Sequence, residues 1–263
     1  MHSPPPLQWR EIGRPDRPPV LLVHGFPIES SMWDAAAAAL ADAWRVILPD
    51  LRGFGASAPT QAASMAEYAD DLALLLDSLG IDRPALLAGL SFGGYVVMEF
   101  LRRHPGRFGA VGLIDTREVP DTPEGAAGRR QAADRLDRGE PVSIVADPML
   151  PLMVSPDASP AFREHWRAVM CRQSPVGVAA ALRAMADRPD STETLRSCRA
   201  RALLVVGARD AITPVEVHQR MAALMPRSEL HVIPRAGHMA PTEDPRSFAS
   251  IVREFLGPGT ERG

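Results

Sequence analysis

Ala85-Leu86-Leu87-Ala88-Gly89-Leu90-Ser91-Phe92-Gly93-Gly94 passes from a short apolar run into a glycine-flanked serine and on into a helical pattern. A brief, wholly apolar run is what a strand buried on both faces requires. G-x-S-x-G between such a strand and a helix describes a sharp turn that presents a serine hydroxyl at the strand's end. Small residues at Gly89, Gly93 and Gly94 let neighbouring segments approach the turn closely. A helix opening at Phe92 turns free N–H groups and its positive dipole end toward the serine. A serine between glycines is common on its own; the strand–turn–helix context is what gives it meaning.

Outward from this stretch, similar apolar runs recur at Val20–Val23, Val46–Leu48, Val111–Ile114, Leu203–Val206 and Leu230–Ile233, with a weaker one at Leu7–Ile12. Helical patterns separate them at Met32–Ala43, Met65–Leu79, Phe92–Arg103, Val215–Leu224 and Arg246–Phe255. Within the second, Leu72, Leu75, Leu76 and Leu79 repeat at helical spacing and Gly80 supplies the stop. Alternating strands and helices predict an α/β fold, a mostly parallel central sheet with helices on both faces. The alternation lapses from about Arg117 to Ser197, where helical stretches at Pro123–Arg138, Ala161–Arg172 and Val176–Arg188 accompany the apolar run Met149–Met153. An insertion of this length between core strands reads as a helical cap over the C-terminal edge of the sheet. The expected division is core 1–116, cap 117–197 and core 198–263.

The whole chain has 263 residues, 46% hydrophobic and 23% charged, enough for one sizeable core. A net charge of −3 gives no electrostatic reason to bind nucleic acid or an anionic membrane. Lysine is absent, which removes Schiff-base and pyridoxal chemistry and the P-loop; asparagine is absent, which removes the glycosylation acceptor. Cys171 and Cys198 form no metal or disulfide pattern. The opening residues, including His2 and the run Pro4–Pro6, lack the apolar core of a secretory signal, and no stretch reaches the roughly 18 apolar residues of a membrane helix. A cytoplasmic protein without metal or organic cofactor is expected.

A serine needs a base to act as nucleophile near neutral pH. Of seven histidines, His238 in Ala236-Gly237-His238-Met239 follows the last strand, at the same sheet edge as Ser91. His24 ends another strand and reads as a structural hydrogen bonder, His104 as a helix end, and His165, His218 and His231 as surface residues. The group that orients the imidazole is expected to be Asp210, with Asp115 as its rival; the order Ser91, Asp210, His238 agrees with a Ser…Asp…His arrangement. Asp50 reads as a loop brace. An oxyanion hole needs two N–H donors, expected from the backbone of Phe92 and of Phe26.

Together, Val23–Pro27, Asp50–Ser57, Gly89–Gly94, Gly207–Asp210 and Ala236–His238 resemble the α/β-hydrolase superfamily from about residue 18 to 256. Within it the chain is similar to small carboxylesterases, cofactor-free perhydrolases and 3-oxoadipate enol-lactonases, which share these motifs and a tryptophan at the place of Trp33. The resemblance implies Ser91 as nucleophile, His238 as base, Asp210 as acid, and a hole formed by Phe26 and Phe92. Two departures are a shortened N-terminal hairpin and Tyr95 where perhydrolases tend to carry a third glycine. The expected reaction is hydrolysis of a small-molecule carboxylic ester or lactone. Perhydrolysis or C–C bond hydrolysis by the same residues, and a non-hydrolytic ligand-binding or isomerase role, are the alternatives. Trp33, Met149, Leu152 and Met153 are candidates for the substrate pocket. The cap arginines Arg129, Arg130, Arg135, Arg138, Arg163, Arg167 and Arg172 read as a solvated face, with the sharper alternative that one of them holds a substrate carboxylate. Either a monomer or a homodimer fits the sequence.

Overall fold

A computed structural model describes residues 7–59 and 63–257; His2 and Pro4–Pro6 lie outside the described residues. Among the described residues, seven strands form one sheet: β1 (Trp9–Ile12), β2 (Pro19–Val23), β3 (Arg45–Pro49), β4 (Leu86–Leu90), β5 (Ala110–Ile114), β6 (Arg201–Gly207) and β7 (Ser228–Ile233). Their spatial order is β1-β3-β2-β4-β5-β6-β7. All neighbours are parallel except β1, which pairs antiparallel with β3. Among the described residues, the N-terminal part of the sheet consists of the one antiparallel strand β1. The chain winds from β2 outward to β3 and then returns to the other side of β2 with β4. Strand order therefore reverses between β2 and β4, and α/β sheets bind ligands in the crevice at that point.

Alternation along the central strands divides the core between the two sheet faces. Leu21, Val23, Leu87, Val111, Leu113 and Leu204 pack on one side with α2 (Met65–Ser78), α3 (Phe92–Arg103) and α9 (Val215–Leu224). Val20, Leu22, Leu86, Ala88, Leu203 and Val205 pack on the other with α1 (Asp34–Leu40) and α11 (Pro245–Leu256). Helix α2 starts at a capping box, in which the Ser64 hydroxyl accepts the Glu67 N–H and the Glu67 carboxylate accepts the Ser64 N–H. The expected helix over Met32–Ala43 divides into a 3₁₀ turn, Ser30–Trp33, followed by α1.

Five helices occupy the stretch between β5 and β6: α4 (Pro123–Asp137), α5 (Ser143–Met153), α6 (Pro160–Cys171), α7 (Pro175–Ala186) and α8 (Thr192–Ser197). Four of them match or incorporate stretches singled out in the sequence, while α8 had no visible signal. The apolar run Met149–Met153 is the last part of α5 despite Pro148 and Pro151. Proline disfavours a helix interior; burial of Val145, Ala146, Leu150 and Met153 opposes that cost. The insertion is seated on loops at the C-terminal edge of the sheet. The Gln173 side-chain oxygen accepts the Gly55 N–H at 2.9 Å, and Arg172 pairs with Glu29. Gly177 meets Gly53 so closely that a Cβ on Gly177 would overlap the Gly53 carbonyl.

Most arginines of the insertion pair with surface acids, including Arg130 with Asp187, Arg135 with Glu140 and Arg167 with Asp147. Exposed pairs of this kind add little stability. Asp121 differs. Its carboxylate accepts from Arg129 Nε at 2.5 Å and from Arg188, whose side chain is 3% exposed and lies over the Tyr95 ring. Burial opposes ionisation of Asp121, but Arg188 and Arg129 outweigh it and pull the carboxyl down to about 2 from 3.8. The folded state thus binds this proton less tightly than the unfolded chain does. The resulting stabilisation is complete above about pH 5 and disappears as pH falls toward 2. Asp121→Asn should lower the Tm at pH 7, and thermal melts of both proteins should converge as the pH approaches 2, provided both remain folded there.

Candidate active site

Strand β4 runs through Gly89 to Leu90, so the turn begins one residue later than its glycine suggests and Ser91 alone joins strand to helix. Ser91 has φ 53° and ψ −109°, in a region that side-chain-bearing residues rarely adopt. Two bonds fix this conformation: the Ser91 N–H donates to the Ile114 carbonyl at 2.8 Å, and the Thr116 hydroxyl donates to the Ser91 carbonyl at 2.8 Å. The glycines allow the crowding this demands. A Cβ on Gly89 would strike the Gly93 carbonyl, and one on Gly93 would strike the carbonyls of Val23 and His24.

The turn carries the Ser91 hydroxyl to within 2.8 Å of His238 Nε2, and His238 Nδ1 lies 2.8 Å from Asp210 Oδ2. A carboxylate can only accept, so the imidazole proton belongs on Nδ1 and the Nε2 lone pair faces the serine hydroxyl. Asp210 is held by its own loop: Oδ1 accepts the N–H groups of Ile212 and Thr213 at 2.7 and 2.9 Å, and Oδ2 accepts the Thr213 hydroxyl at 2.6 Å. Burial disfavours its charge, yet the electrostatic attraction of His238 and the bonds from His238 and Thr213 hold the carboxyl well below the usual carboxylate range. His238 is fully buried and Ser91 is 9% exposed. This is a serine–imidazole–carboxylate line in a largely water-excluded place, an arrangement able to move a proton from the hydroxyl and stabilise the imidazolium that results.

Phe26 follows β2 and Phe92 opens α3, on the two sides of the strand-order reversal. Their rings lie 6.3 Å apart, edge to face, and the Phe54 ring sits 6.1 Å from each. His24 underlies this loop, as expected: Leu51 N–H donates to its Nε2 at 2.9 Å, and its Nδ1 lies 2.8 Å from the Gly25 carbonyl. Burial, despite the nearby Asp50 charge, pushes its imidazole below the ordinary histidine value. Asp50 braces the adjoining loop by accepting the N–H groups of Ser30 and Ala56 at 2.8 and 2.9 Å.

Asp115, the rival orienter, does not bond His238. It adopts φ 43° and accepts the N–H groups of Gly207 and Ala240 at 2.9 and 3.1 Å. Burial, and then the nearby Asp210 charge, raise its carboxyl well above the usual value. His218 is not the surface residue expected; it is fully buried and its Nε2 accepts the Thr116 N–H at 3.2 Å. Burial pushes its imidazole down to about 4. Helix α9 is short and largely exposed, so its sequence carried no sign that one histidine would turn inward. Thr116 and Thr213 were also missed, although each lies within three residues of an acid at a strand end, where short polar side chains bond the backbone.

Three of the four pocket candidates, Trp33, Met149 and Met153, belong to or pack against one core cluster. Trp33 is fully buried against Phe248, within the core on the α1 and α11 side. Met153 is buried in that same core, Met149 packs against both cores, and Leu152 is half exposed. Among the described residues no cluster of three or more His, Cys, Asp or Glu could hold a metal ion, and no helix is long and apolar enough to cross a membrane.

Similarity to known proteins agrees with this architecture. The model of the alpha/beta hydrolase family matches residues 20–251. A thermophilic esterase from Thermogutta terrifontis is 42% identical, with a TM-score of 0.90 over 95% of this chain and 92% of that one. The enol-lactonase of Burkholderia xenovorans is 26% identical, with a TM-score of 0.86 over 95% and 96% of the two chains. The 2-hydroxy-6-oxo-2,4-heptadienoate hydrolase of Pseudomonas putida is 29% identical across 90% of this chain and 88% of its own. The chain also matches, at 34% identity over 95% of its length, a dihydrolipoyllysine-residue acetyltransferase component of an acetoin cleaving system from Pseudomonas putida, of whose length it spans 66%. With the family's pattern extending from β2 to α11, the chain belongs to the alpha/beta hydrolase family.

Proposed function

We propose that this protein is a serine hydrolase that cleaves a small carboxylic ester or lactone through an acyl-enzyme. The observation that carries the reading is the unbroken line of bonds from Ser91 through His238 to Asp210, each step 2.8 Å. Ser91 attacks the carbonyl carbon while His238 takes its proton, and the imidazolium is stabilised by Asp210. Charge that develops on the carbonyl oxygen is received by the backbone N–H groups of Phe92 and Phe26, with the α3 dipole adding to the attraction. Collapse of the tetrahedral intermediate transfers the proton to the leaving alcohol. Water, deprotonated by the same imidazole, then releases the acid and restores the serine.

The helical stretch 117–197 serves in this reading as a cap over the crevice. Phe26, Phe54 and Phe92 pack their buried rings together next to Ser91, and this reading places an apolar acyl or alkyl group beside the reacting carbonyl. Arginine clamping of an acidic substrate receives less support, since Arg129 and Arg188 are committed to Asp121. The similarity to the esterase at 42% identity supports ester hydrolysis, while the similarity to the 2-hydroxy-6-oxo-2,4-heptadienoate hydrolase supports C–C cleavage as a second reading. Short-chain aryl esters, simple lactones and a vinylogous diketone, assayed side by side, separate the two by which product accumulates.

A fluorophosphonate should add covalently to the wild type at Ser91 and leave Ser91→Ala unmodified in intact-mass spectra. Ester turnover by Ser91→Ala should fall by about 10⁴-fold or more, and near-normal turnover in that folded variant would overturn the mechanism. Asp210→Asn preserves shape but permits the wrong imidazole tautomer, so kcat should drop on the order of 10⁴-fold with only a small change in KM.

A further inference from the structure

The loop that carries His238 is held at both ends by carboxylates that are not part of the serine–imidazole–carboxylate line. On the far side, Ala240 N–H donates to Asp115 at 3.1 Å, which ties the loop to the end of β5. On the near side, Gly237 N–H donates to Glu243 Oε1 at 2.8 Å. The second oxygen of Glu243 does something different. It accepts the N–H of Ser155, at 3.0 Å, from the helical insertion. One carboxylate therefore spans the residue preceding the candidate base and the segment that follows α5.

Several features make this tie significant. Gly237 is pressed against the insertion, since a Cβ there would come within 2.6 Å of Ser155 N and 2.8 Å of the Val154 carbonyl carbon. Beside this contact the two parts separate into a groove of about 440 Å³, lined by Ser155, Phe162, Ala236, Glu243 and Asp244 among others. Met153 and Val154 pack with Ala236, Met239 and Ala240 beneath this seam, and directional bonds fix its register at the rim. Arg163 secures the same segment from within the insertion, donating to the carbonyls of Ser155 and Pro156 at 2.7 and 3.1 Å. Arg209, from the loop of Asp210, pairs with Asp157.

We propose that Glu243 is a positioning residue that couples the seating of the helical insertion to the alignment of His238 with Ser91. This rests on the serine-hydrolase reading given above. With the insertion seated, both oxygens of Glu243 are engaged and the 237–240 loop has one arrangement. With Ser155 withdrawn, Glu243 Oε2 loses that partner, and the anchor on Gly237 is loosened. A base displaced by about 1 Å transfers a proton poorly even when substrate is bound.

The test uses the full chain. Glu243→Gln is isosteric but offers one acceptor oxygen to two N–H groups, and its amide NH₂ must face the other. Arg163→Ala loosens the Ser155 segment from the insertion side and leaves the Glu243–Gly237 bond in place. Glu243→Gln should lower kcat about tenfold with KM within twofold of wild type, and slow fluorophosphonate labelling of Ser91 in parallel. Arg163→Ala should shift both in the same direction by a smaller factor, and the double variant should be less impaired than the product of the two. Amide exchange at Gly237 and Ser155 should accelerate in Glu243→Gln while the Tm stays within a few degrees. Labelling of wild type and both variants at one rate would overturn the role of Glu243 alone. A loss of activity that only tracks a loss of folded protein would overturn it too. Failure of the wild type to be labelled would instead overturn the serine-hydrolase reading.

Discussion

A single strained residue governs this molecule. Ser91 is neither glycine nor asparagine, yet it is held at φ 53° between a fully buried strand and a buried helix. Such a conformation costs of the order of 1–3 kcal/mol and persists only where the surroundings over-determine it. Here those surroundings are the neighbouring strand β5, which accepts the Ser91 N–H, the Thr116 hydroxyl, which bonds its carbonyl, and three glycines that let β2, β4, β5 and α3 converge. Sheet order, loop composition and helix start all serve that one turn. A bulkier residue at Gly89 or Gly93 would leave the strand pairing possible while forcing the hydroxyl out of reach of His238.

The second demand is to keep charge in a dry place. His238, Asp115, His24 and His218 are fully buried, and Asp210 nearly so. Buried ionisable groups are tolerated when they are neutral or when their hydrogen bonds are complete. The structure uses both devices. His24 and His218 are pushed toward the neutral form and accept backbone N–H bonds. Asp210 keeps its charge with two backbone N–H groups, a hydroxyl and an imidazole around it. Asp115 shows the contrast within one site: like Asp210 it ends a core strand, but it spends both oxygens on backbone N–H groups and so braces the loops without reaching the imidazole.

How much of this could be read from the sequence follows from the range of the forces involved. The parallel strands were visible because burial on both faces makes them apolar runs, and the order of Ser91, Asp210 and His238 was visible because each follows such a run. Local chemistry also exposed Asp50 as a brace and His24 as a loop support. What escaped depends on partners distant in sequence. His218 faces Thr116 across 102 positions, Ser155 reaches Glu243 across 88, and Arg188 reaches Asp121 across 67. No periodicity announces such pairs. Helix α5 was hidden for another reason, since two prolines argue locally against a helix that tertiary burial nonetheless supports. Trp33, suggested by resemblance, lies in the core beside Phe248, where a large side chain fills volume between α1 and α11.

The insertion leaves and rejoins the sheet on either side of the Ser91–His238–Asp210 line. The chain departs just after Thr116, which bonds the backbone of Ser91, and returns as β6, which delivers the loop of Asp210. Both roots are therefore fixed by the machinery beneath, through buried bonds from residues 115 and 116. Between the roots, the helices pack apolar side chains into both cores and add surface ion pairs, the close Gly53–Gly177 contact, and the polar ties at Gln173 and Ser155. The Ser155 tie ends on Glu243, which also bonds Gly237 beside His238, and the Asp157–Arg209 pair ends on the loop of Asp210, so both reach the loops that carry the imidazole and its carboxylate partner.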